Sequence, residues 1–248
     1  MEHITSSQNT KVKQFLKLKK KRVRDQQNKA ILEGFHLIEE AYQNDLKIEQ
    51  LFVLDVERVN PALIASCEHV YEINMKVAET LAGTVTPQGI FAIIHKPQFE
   101  MTRFKQVLIL DRVQDPGNVG TLIRTADAAG LDAVVISKGT ADVFSDKVLR
   151  ASQGSVFHIP IIVKEDIVQY IQQFEGPVYG TALNHAVTYH DVAKKQSAFA
   201  LVLGNEGDGI SVEILQATTQ NVTIPIYGKA ESLNVAIAAG ILMFHLKG

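Results

Sequence analysis

A glycine-rich loop near the C-terminus holds a carboxylate where a ligand could reach it. Residues 201–203 are apolar and predict the end of a buried strand, and Gly204-Asn205-Glu206-Gly207-Asp208-Gly209 follows directly. Glycine allows the backbone to approach a ligand closely. The spacing fits neither Gly-x-Gly-x-x-Gly nor a P-loop, which excludes both phosphate-binding fingerprints. A tight Asp-Gly turn without a ligand is the other interpretation, but it does not explain Glu206.

A second polar pair, Asn118 and Arg124, lies among the glycines of residues 115–130. At about 100° per residue, the two lie roughly 240° apart on an ideal helix and so occupy different faces. They converge only if Asn118 belongs to the loop before the helix. Arg124 could instead be a surface ion-pair partner. The apolar residues around it predict a largely buried helix, which disfavours that alternative.

The third polar segment is Ser232-Leu233-Asn234, which follows the predicted strand end Ile224-Pro225-Ile226. Ser232 opens a predicted helix, and serine is a preferred N-cap residue. Asn234 then falls in the first turn, where polar side chains are common. Taken alone, this segment is more typical of structure than of function.

The elements that position these segments are predicted from the pattern of apolar residues. Strand patterns alternate with helical patterns along the chain, which predicts the α/β fold class. In the C-terminal part the strands are nearly continuous apolar runs, which favours a parallel sheet covered on both faces. The predicted strands there are 107–110, 133–136, 159–163, 178–181, 200–203 and 222–226, and the predicted helices lie near 118–129, 145–151, 165–174, 190–195, 211–217 and 232–247.

The N-terminal part predicts a separate small α/β domain of residues 1–95. Residues 96–104 break the pattern and are the predicted linker, and residues 105–248 form the second domain. The predicted strands of the first domain are 30–33, 51–54, 70–73 and 89–95, and its predicted helices are 10–21, 35–41, 61–67 and 75–82.

Composition excludes several classes of protein. The 248 residues are 46% hydrophobic and 21% charged, as in ordinary globular proteins. The longest apolar candidate, residues 235–246, is shorter than the roughly 20 residues of a membrane span. The single Cys67 excludes an internal disulfide, and the N-terminus has no apolar signal region. No histidine spacing predicts a metal, so we expect a cytoplasmic protein without one.

Charge is unevenly distributed, although the net value is only −2. Residues 1–24 hold eight basic groups and one acidic one, whereas the remaining chain has 17 basic and 26 acidic residues. A segregated basic segment indicates a polyanionic partner. A solvated helix face is the competing interpretation, and a mitochondrial presequence is a weaker one. The residues expected to contact phosphates are Lys19, Lys20, Lys21, Arg22 and Arg24.

Together and in this order, the three segments resemble the motifs of the SpoU (TrmH-like) RNA ribose methyltransferases. The matching elements are Asn-x-Gly-x-x-x-Arg-Thr-Ala at 118–126, Gly-Asn-Glu-Gly at 204–207, and Ile-Pro at 224–225 followed by Ser-Leu-Asn at 232–234. The resemblance covers residues 105–248, and Ile226 stands where many relatives have methionine. More loosely, the N-terminal part is similar to the ribosomal-protein-L30-like substrate-binding domain of the ribosomal RNA members.

The resemblance implies a SPOUT-type fold with a C-terminal trefoil knot, a homodimer formed through the C-terminal domain, and S-adenosylmethionine as the cofactor. It implies methyl transfer to a ribose 2′-hydroxyl, with 23S ribosomal RNA as the expected substrate. The implied catalytic residues are Arg124, Asn118, Glu206, Ser232 and Asn234. The implied cofactor-binding residues are Thr181, Leu203, Gly204, Gly207, Ile224, Ile226, Leu233 and Asn234.

Arg124 is the family's catalytic residue, and its chemistry constrains its role. A guanidinium stays protonated in proteins and is a poor base. Holding the phosphate next to the target ribose and stabilising the developing alkoxide suit it better. Three alternatives remain: a transfer RNA methyltransferase, a non-catalytic RNA-binding protein with a degenerate domain, and a nucleotide-dependent oxidoreductase. The intact motif set argues against the second, and the missing dinucleotide fingerprint argues against the third.

Overall fold

The computed structural model describes residues 1–83, 86–99, 103–183 and 185–248, and it contains two compact units. Residues 1–99 and 144–157 form the first unit, and residues 100–143 and 158–248 form the second. The predicted linker 96–104 falls at this division, although its residues 100–102 lie outside the described part. No helix of the described residues is long and apolar enough to cross a membrane.

The first half of the chain folds as a mixed five-stranded sheet with helices. The strand order is β1-β4-β3-β5-β2, and β5 runs antiparallel to both of its neighbours. The elements are β1 (Glu2–Ile4), α1 (Thr10–Lys17), α2 (Lys21–Gln27), β2 (Lys29–Glu33), α3 (Phe35–Gln43), β3 (Ile48–Val53), α4 (Pro61–Ser66), β4 (His69–Ile73), α5 (Met75–Leu81) and β5 (Ile90–His95).

An aromatic cluster anchors α1 to this sheet. The ring of Phe15 packs edge-on against Phe52 of β3 and Phe91 of β5, with ring centroids 5.8 and 6.0 Å apart. All three side chains are fully buried. Rings of this size contribute much of the apolar area that holds a small core together.

The predicted helix 10–21 is wrong in one respect, because it is two helices separated by a break after Lys17. The guanidinium of Arg24 bridges the break, donating from Nη1 to the carbonyl oxygens of Leu18 (2.7 Å) and Lys19 (2.8 Å). These carbonyls would otherwise lack partners at a helix end. Arg24 is therefore buried, and the expectation that it contacts phosphates is corrected.

The second half of the chain contains a parallel sheet of seven strands, which confirms the predicted α/β class. The strand order is β10-β12-β9-β11-β6-β7-β8, and every pairing is parallel. The elements are β6 (Gln106–Leu110), α6 (Pro116–Ala128), β7 (Ala133–Ser137), α7 (Asp146–Ser152), β8 (Ile161–Lys164), α8 (Ile167–Gln172), β9 (Val178–Thr181), β10 (Val187–Thr188), β11 (Phe199–Leu203), α9 (Val212–Ala217), β12 (Gln220–Thr223) and α10 (Val235–Lys247).

Helix α7 clusters with the first unit, where it packs on β2, so the compact units differ from the predicted domains at residues 144–157. Three further predictions are corrected. Strand β12 ends at Thr223, not at residue 226, and the predicted helix 190–195 is a single 3₁₀ turn, Tyr189–Asp191. The last helix begins at Val235, not at residue 232, because Asn234 is its N-cap.

Strand order creates a crevice at one edge of the parallel sheet. Strands β6 and β11 are neighbours, but the chain leaves β6 for β7 on one side and leaves β11 for β12 on the other. Their carboxyl ends, Leu110 and Leu203, lie in register. Ligands of open parallel sheets bind where such connections diverge. The loops that follow these two strands are therefore the place to look for a site.

Candidate functional site

The loop after β11 closes on itself through the side chain of Asn205. Its Oδ1 accepts from the amides of Gly207 (2.8 Å) and Asp208 (3.2 Å), while its Nδ2 donates to the carbonyl of Arg112 (2.9 Å). The main chains of Asn205 and Gly209 exchange two further hydrogen bonds. These bonds give the loop a fixed shape and attach it to the loop after β6.

Gly204 permits this closure. A Cβ atom at Gly204 would lie 2.1 Å from the carbonyl carbon of Gly209 and 2.2 Å from the amide nitrogen of Ile210. Both neighbours are backbone atoms that cannot move aside. The absence of a side chain at Gly204 therefore serves the loop itself, and its contact with a cofactor stays a prediction.

Glu206, Asn118 and Asn234 form a continuous hydrogen-bonded chain, referred to below as the polar triad. Asn118 Nδ2 donates to Glu206 Oε1 (3.0 Å), and Asn234 Nδ2 donates to Asn118 Oδ1 (3.0 Å). Glu206 also accepts from the amides of Gln114 and Asp115, both at 3.1 Å. The structure thus brings together three of the five residues predicted as catalytic, from three distant parts of the chain.

The electrostatics of Glu206 follow from these bonds. Partial burial by itself raises the pKa of the carboxyl, but hydrogen bonds from Asn118 and from backbone amides outweigh burial and hold the pKa below its usual range. Glu206 is therefore ionised at neutral pH, and both of its oxygens already accept hydrogen bonds. It is suited to fixing the loops in place and poorly suited to removing a proton.

The side chain of Asn234 caps the start of α10 in addition to its bond with Asn118. Its Oδ1 accepts from the backbone amides of Ala236 (2.9 Å) and Ile237 (3.3 Å), which is the standard N-cap arrangement. Ser232 is exposed and makes no hydrogen bond in the part of the chain described here, so its predicted role as the N-cap is wrong. The structure does not join Ser232 to the polar triad.

Arg124 is exposed on α6, six residues after Asn118, and does not join the polar triad either. The helix is buried on the side of Leu122, Ile123 and Ala126, whereas Thr121 and Arg124 face outward. Within the described ranges, Arg124 forms no ion pair or hydrogen bond. The alternative of a surface ion pair therefore has no partner here, and the guanidinium is available to an external anion.

Asp111 is a residue of the site that the sequence reasoning missed. It is buried at the end of β6, where its carboxylate accepts from the amide of Ser211 (3.0 Å) and from Nε and Nη2 of Arg112 (3.0 and 3.1 Å). The bonds to Asp111 raise the pKa of Arg112. An acidic residue directly after a buried apolar strand was the available signal.

The residues predicted to bind the cofactor follow three adjacent parallel strands, β9, β11 and β12. Because parallel strands end at one edge, Thr181, Leu203 and Ile224 lie at the same side of the sheet. From Ile224 to Leu233, no main-chain amide donates a hydrogen bond within the described residues. Two large apolar side chains of the same segment, Tyr227 and Leu233, are exposed. Free amides next to apolar groups suit a ligand with a flat heteroaromatic ring and polar edges, and so fit an adenine-containing cofactor.

The basic residues predicted to contact phosphates are exposed apart from Arg24. Lys20, Lys21 and Arg22 lie on the surface, and Lys19 is exposed while its Nζ donates to the carbonyl of Ala82 (3.0 Å). These four cations remain available to phosphates. Among the described residues, no group of three His, Cys, Asp or Glu side chains is arranged to hold a metal ion.

Comparisons with known proteins match both halves of the chain. The model of the SpoU rRNA methylase family matches residues 105–244, and that of the MRM3-like substrate binding domain matches residues 9–92. The chain is 43% identical over 251 residues to the 23S rRNA (guanosine(2553)-2′-O)-methyltransferase RlmP of Bacillus subtilis, covering 100% of both chains.

Solved structures agree with these matches. An AdoMet-bound rRNA methyltransferase from Sinorhizobium meliloti superposes with a TM-score of 0.88 at 35% identity, covering 99% of this chain and 97% of that one. The methyltransferase AviRb from Streptomyces viridochromogenes shares the fold, with a TM-score of 0.83 at 22% identity over 96% of this chain and 97% of its own.

Proposed function

The chain belongs to the SpoU rRNA methylase family, and from this premise we propose how it acts. It is an RNA methyltransferase that transfers the methyl group of S-adenosylmethionine to a ribose 2′-hydroxyl. The observation that carries the assignment of the site is the polar triad at the sheet edge where β6 and β11 diverge. We propose 23S ribosomal RNA as the substrate, supported by the full-length identity to RlmP.

The cofactor supplies a methyl group that its sulfonium already activates, so the protein has to position the acceptor oxygen and stabilise its charge. We propose that the loop after β11, with Leu203, Gly204 and Gly207, and the segment from Ile224 to Leu233 hold the cofactor through backbone groups. Thr181 lies at the same edge, and its Oγ1 donates to the carbonyl of Val202 (3.3 Å). The polar triad holds the loop after β11 next to the start of α10 through its hydrogen bonds.

Arg124 binds the RNA in this proposal. Its unpaired, exposed guanidinium can contact the phosphate adjacent to the target ribose and stabilise negative charge that develops on the 2′-oxygen. Glu206, Asn118 and Asn234 act as positioning residues, since their polar atoms bond mainly to one another. Lys19, Lys20, Lys21 and Arg22 contact phosphates further along the RNA and contribute affinity without sequence reading.

We propose a homodimer formed through α10. Ile237 (57% exposed), Ile241 (37%) and Phe244 (54%) follow each other at spacings of four and three residues and so form one apolar face. The face begins directly after Asn234, so a second copy packed on it would border the site. We further propose the trefoil knot for the segments around β12 and α10, the L30-like architecture for the first unit, and a cytoplasmic location.

Mapping ribose methylation tests the function. Total RNA from cells with and without the gene is compared at each position of 23S ribosomal RNA and of transfer RNA, and the missing mark is then restored in vitro with purified protein and S-adenosylmethionine. We expect one 23S position to depend on the protein. A mark absent only from transfer RNA would overturn the substrate, and no change in any RNA, with no transfer in vitro, would overturn the enzymatic assignment.

A further inference from the structure

Methyl transfer to a ribose hydroxyl releases a proton, and the residues assigned so far do not receive it. Asn118 and Asn234 carry amides, which do not titrate near neutral pH. Both oxygens of Glu206 already accept hydrogen bonds, from one side-chain amide and two main-chain amides. Arg124 stays protonated. The proton therefore needs another acceptor in the loops at this edge of the sheet.

Asp115 lies directly beside the polar triad, at the end of the loop between β6 and α6. Its main-chain amide donates to Glu206 Oε1 (3.1 Å), and its Oδ1 accepts from the main-chain amide of Asn118 (2.8 Å). A Cβ atom at Gly117 would lie 3.0 Å from Oδ1, so the glycine leaves room for the carboxylate. The side chain is exposed, and within the described residues its Oδ2 forms no hydrogen bond or ion pair. One oxygen thus holds the carboxylate in place while the other remains available.

The other acids, and the histidine, of the loops after β6, β9, β11 and β12 do not combine these two properties. Asp111 is buried, and both of its oxygens accept hydrogen bonds. Three further side chains are exposed, but no hydrogen bond fixes them within the part of the chain described, namely His185, Asp208 and Glu231. A general base has to be held within hydrogen-bonding distance of the proton it accepts. This requirement favours Asp115.

We propose that Asp115 is a catalytic residue that accepts the proton of the ribose 2′-hydroxyl during methyl transfer. As the bond between the 2′-oxygen and the methyl carbon forms, the carbon–sulfur bond breaks and its electron pair stays on sulfur. The oxygen loses its proton to Oδ2 of Asp115, and the exposed carboxyl then passes the proton to water. Alkylation of the oxygen makes its proton strongly acidic, so a carboxylate is a sufficient acceptor. The inference rests on the proposed methyl transfer and deepens it by naming the proton acceptor.

The position of Arg124 on the same helix is compatible with this division of roles. Arg124 lies nine residues after Asp115, which is about 13.5 Å along the helix axis at 1.5 Å per residue. Long side chains of a helix lean toward its N-terminus, and Asp115 lies at the N-terminus of α6. The guanidinium can therefore hold the phosphate of a nucleotide while the carboxylate receives the proton of its ribose.

Asp115 is also the N-cap of α6, and two substitutions separate this structural role from the catalytic one. Asparagine caps a helix as well as aspartate does, whereas alanine does not. We expect the rate of single-turnover methylation at saturating cofactor and RNA to fall by about 10²–10⁴ in both Asp115→Asn and Asp115→Ala, the usual contribution of a general base. Only Asp115→Ala should lower the melting temperature. Both variants should keep their affinity for S-adenosylmethionine and for RNA, because loss of an acid does not weaken binding to a polyanion.

Asp166 supplies the matched control, because it caps α8 in the same way. Its Oδ1 accepts from the main-chain amide of Gln169 at 2.8 Å, and its side chain is exposed like that of Asp115. Asp166→Ala should lower the melting temperature and keep the wild-type rate of methylation. A near wild-type rate in Asp115→Asn, with or without a slow Asp115→Ala, would show that Asp115 only caps the helix and would overturn the proposal.

Added formate tests the proton transfer itself. Asp115→Ala leaves space in which formate can accept the proton, whereas the amide of Asp115→Asn fills that space. Formate should raise the methylation rate of Asp115→Ala in proportion to its concentration and leave the rate of Asp115→Asn unchanged. Equal responses of the two variants would contradict the role of the carboxylate.

Methyl transfer by the wild type separates this inference from the function on which it rests. If the wild type methylates RNA and Asp115→Asn does so at the same rate, the proton acceptor is wrong and the enzymatic function stands. If the wild type transfers no methyl group to any RNA, the proposed function itself is wrong.

Discussion

Replacing Arg124 by alanine should separate catalysis from stability more clearly than any other change in this protein. The side chain is exposed on α6 and has no intramolecular partner among the described residues, so its removal breaks nothing in the fold. Surface substitutions of this kind change the free energy of unfolding by about 0.5 kcal/mol or less, and alanine favours helix at least as much as arginine. The melting temperature should therefore stay within a few degrees of the wild type.

The rate of methyl transfer should respond very differently. A group that stabilises developing oxyanion charge typically contributes about 2.7–4 kcal/mol to the barrier, which corresponds to roughly 10²–10³ in rate. Arg124→Ala should lose that factor in single-turnover methylation at saturating cofactor, while the affinity for S-adenosylmethionine stays nearly unchanged. Arg124→Lys should lose almost as much, because an ammonium group cannot form the planar two-point contact with a phosphate.

Arg103 supplies the matched control. It is another exposed arginine of the second unit, and its Nη1 lies 2.9 Å from Oε1 of Glu175, with both side chains largely in water. Arg103→Ala removes only a surface ion pair, worth about 1 kcal/mol or less, and should retain full turnover. A folded Arg124→Ala protein that methylates RNA at nearly the wild-type single-turnover rate would refute the role assigned to Arg124.

Three further outcomes follow from the contacts described. Glu206→Gln should lower the melting temperature at pH 7. The lowered pKa of Glu206 gives stability that is fully present above the unfolded value of about 4.3 and is lost as the pH falls through the lower pKa of the folded state, so the difference from wild type should shrink in melting curves recorded at successively lower pH. Arg24→Met should lower the melting temperature because it removes one buried and one partly buried hydrogen bond. Lys20→Ser should leave the melting temperature unchanged and reduce the salt slope of RNA binding by about 0.7. Equal melting temperatures for the two variants would contradict the structural role of Arg24. Ile237→Lys should convert the proposed dimer to a monomer in sedimentation experiments. Val212→Lys, at another exposed apolar residue, is the control and should leave the dimer intact. A monomeric wild type would overturn the α10 interface.

The sequence predicted the centre of the parallel sheet well because its strands are buried on both faces. Strand β9 was predicted with its observed limits, and β6, β7 and β11 were each placed to within one residue at either end. The short strands β1 and β10, with three and two residues, contain too few side chains to produce a pattern. The predicted helix 10–21 failed because a tertiary contact of Arg24 stabilises a break that periodicity does not reveal.

In the candidate site too, local sequence patterns identified the residues but not their tertiary contacts. Motifs identified Asn118, Glu206 and Asn234, but their mutual hydrogen bonds depend on strand order, which no local pattern contains. Ser232 was preferred to Asn234 as the N-cap because both residue types cap helices equally well, and only the backbone geometry distinguishes them. Asp111 was missed because its partner Ser211 lies a hundred residues away in the chain.

The polar triad also constrains when the enzyme becomes active during its own synthesis. Asn118 has its partners 88 and 116 residues further along the chain, and the last of them, Asn234, is the N-cap of α10. Domains fold from the N-terminus as synthesis proceeds, so the first unit can complete its sheet early, whereas the triad cannot close until Asn234 has left the ribosome. A nascent chain is therefore able to contact RNA before it is able to modify it, and removal of residues 234–248 should leave a protein that binds RNA but does not methylate it.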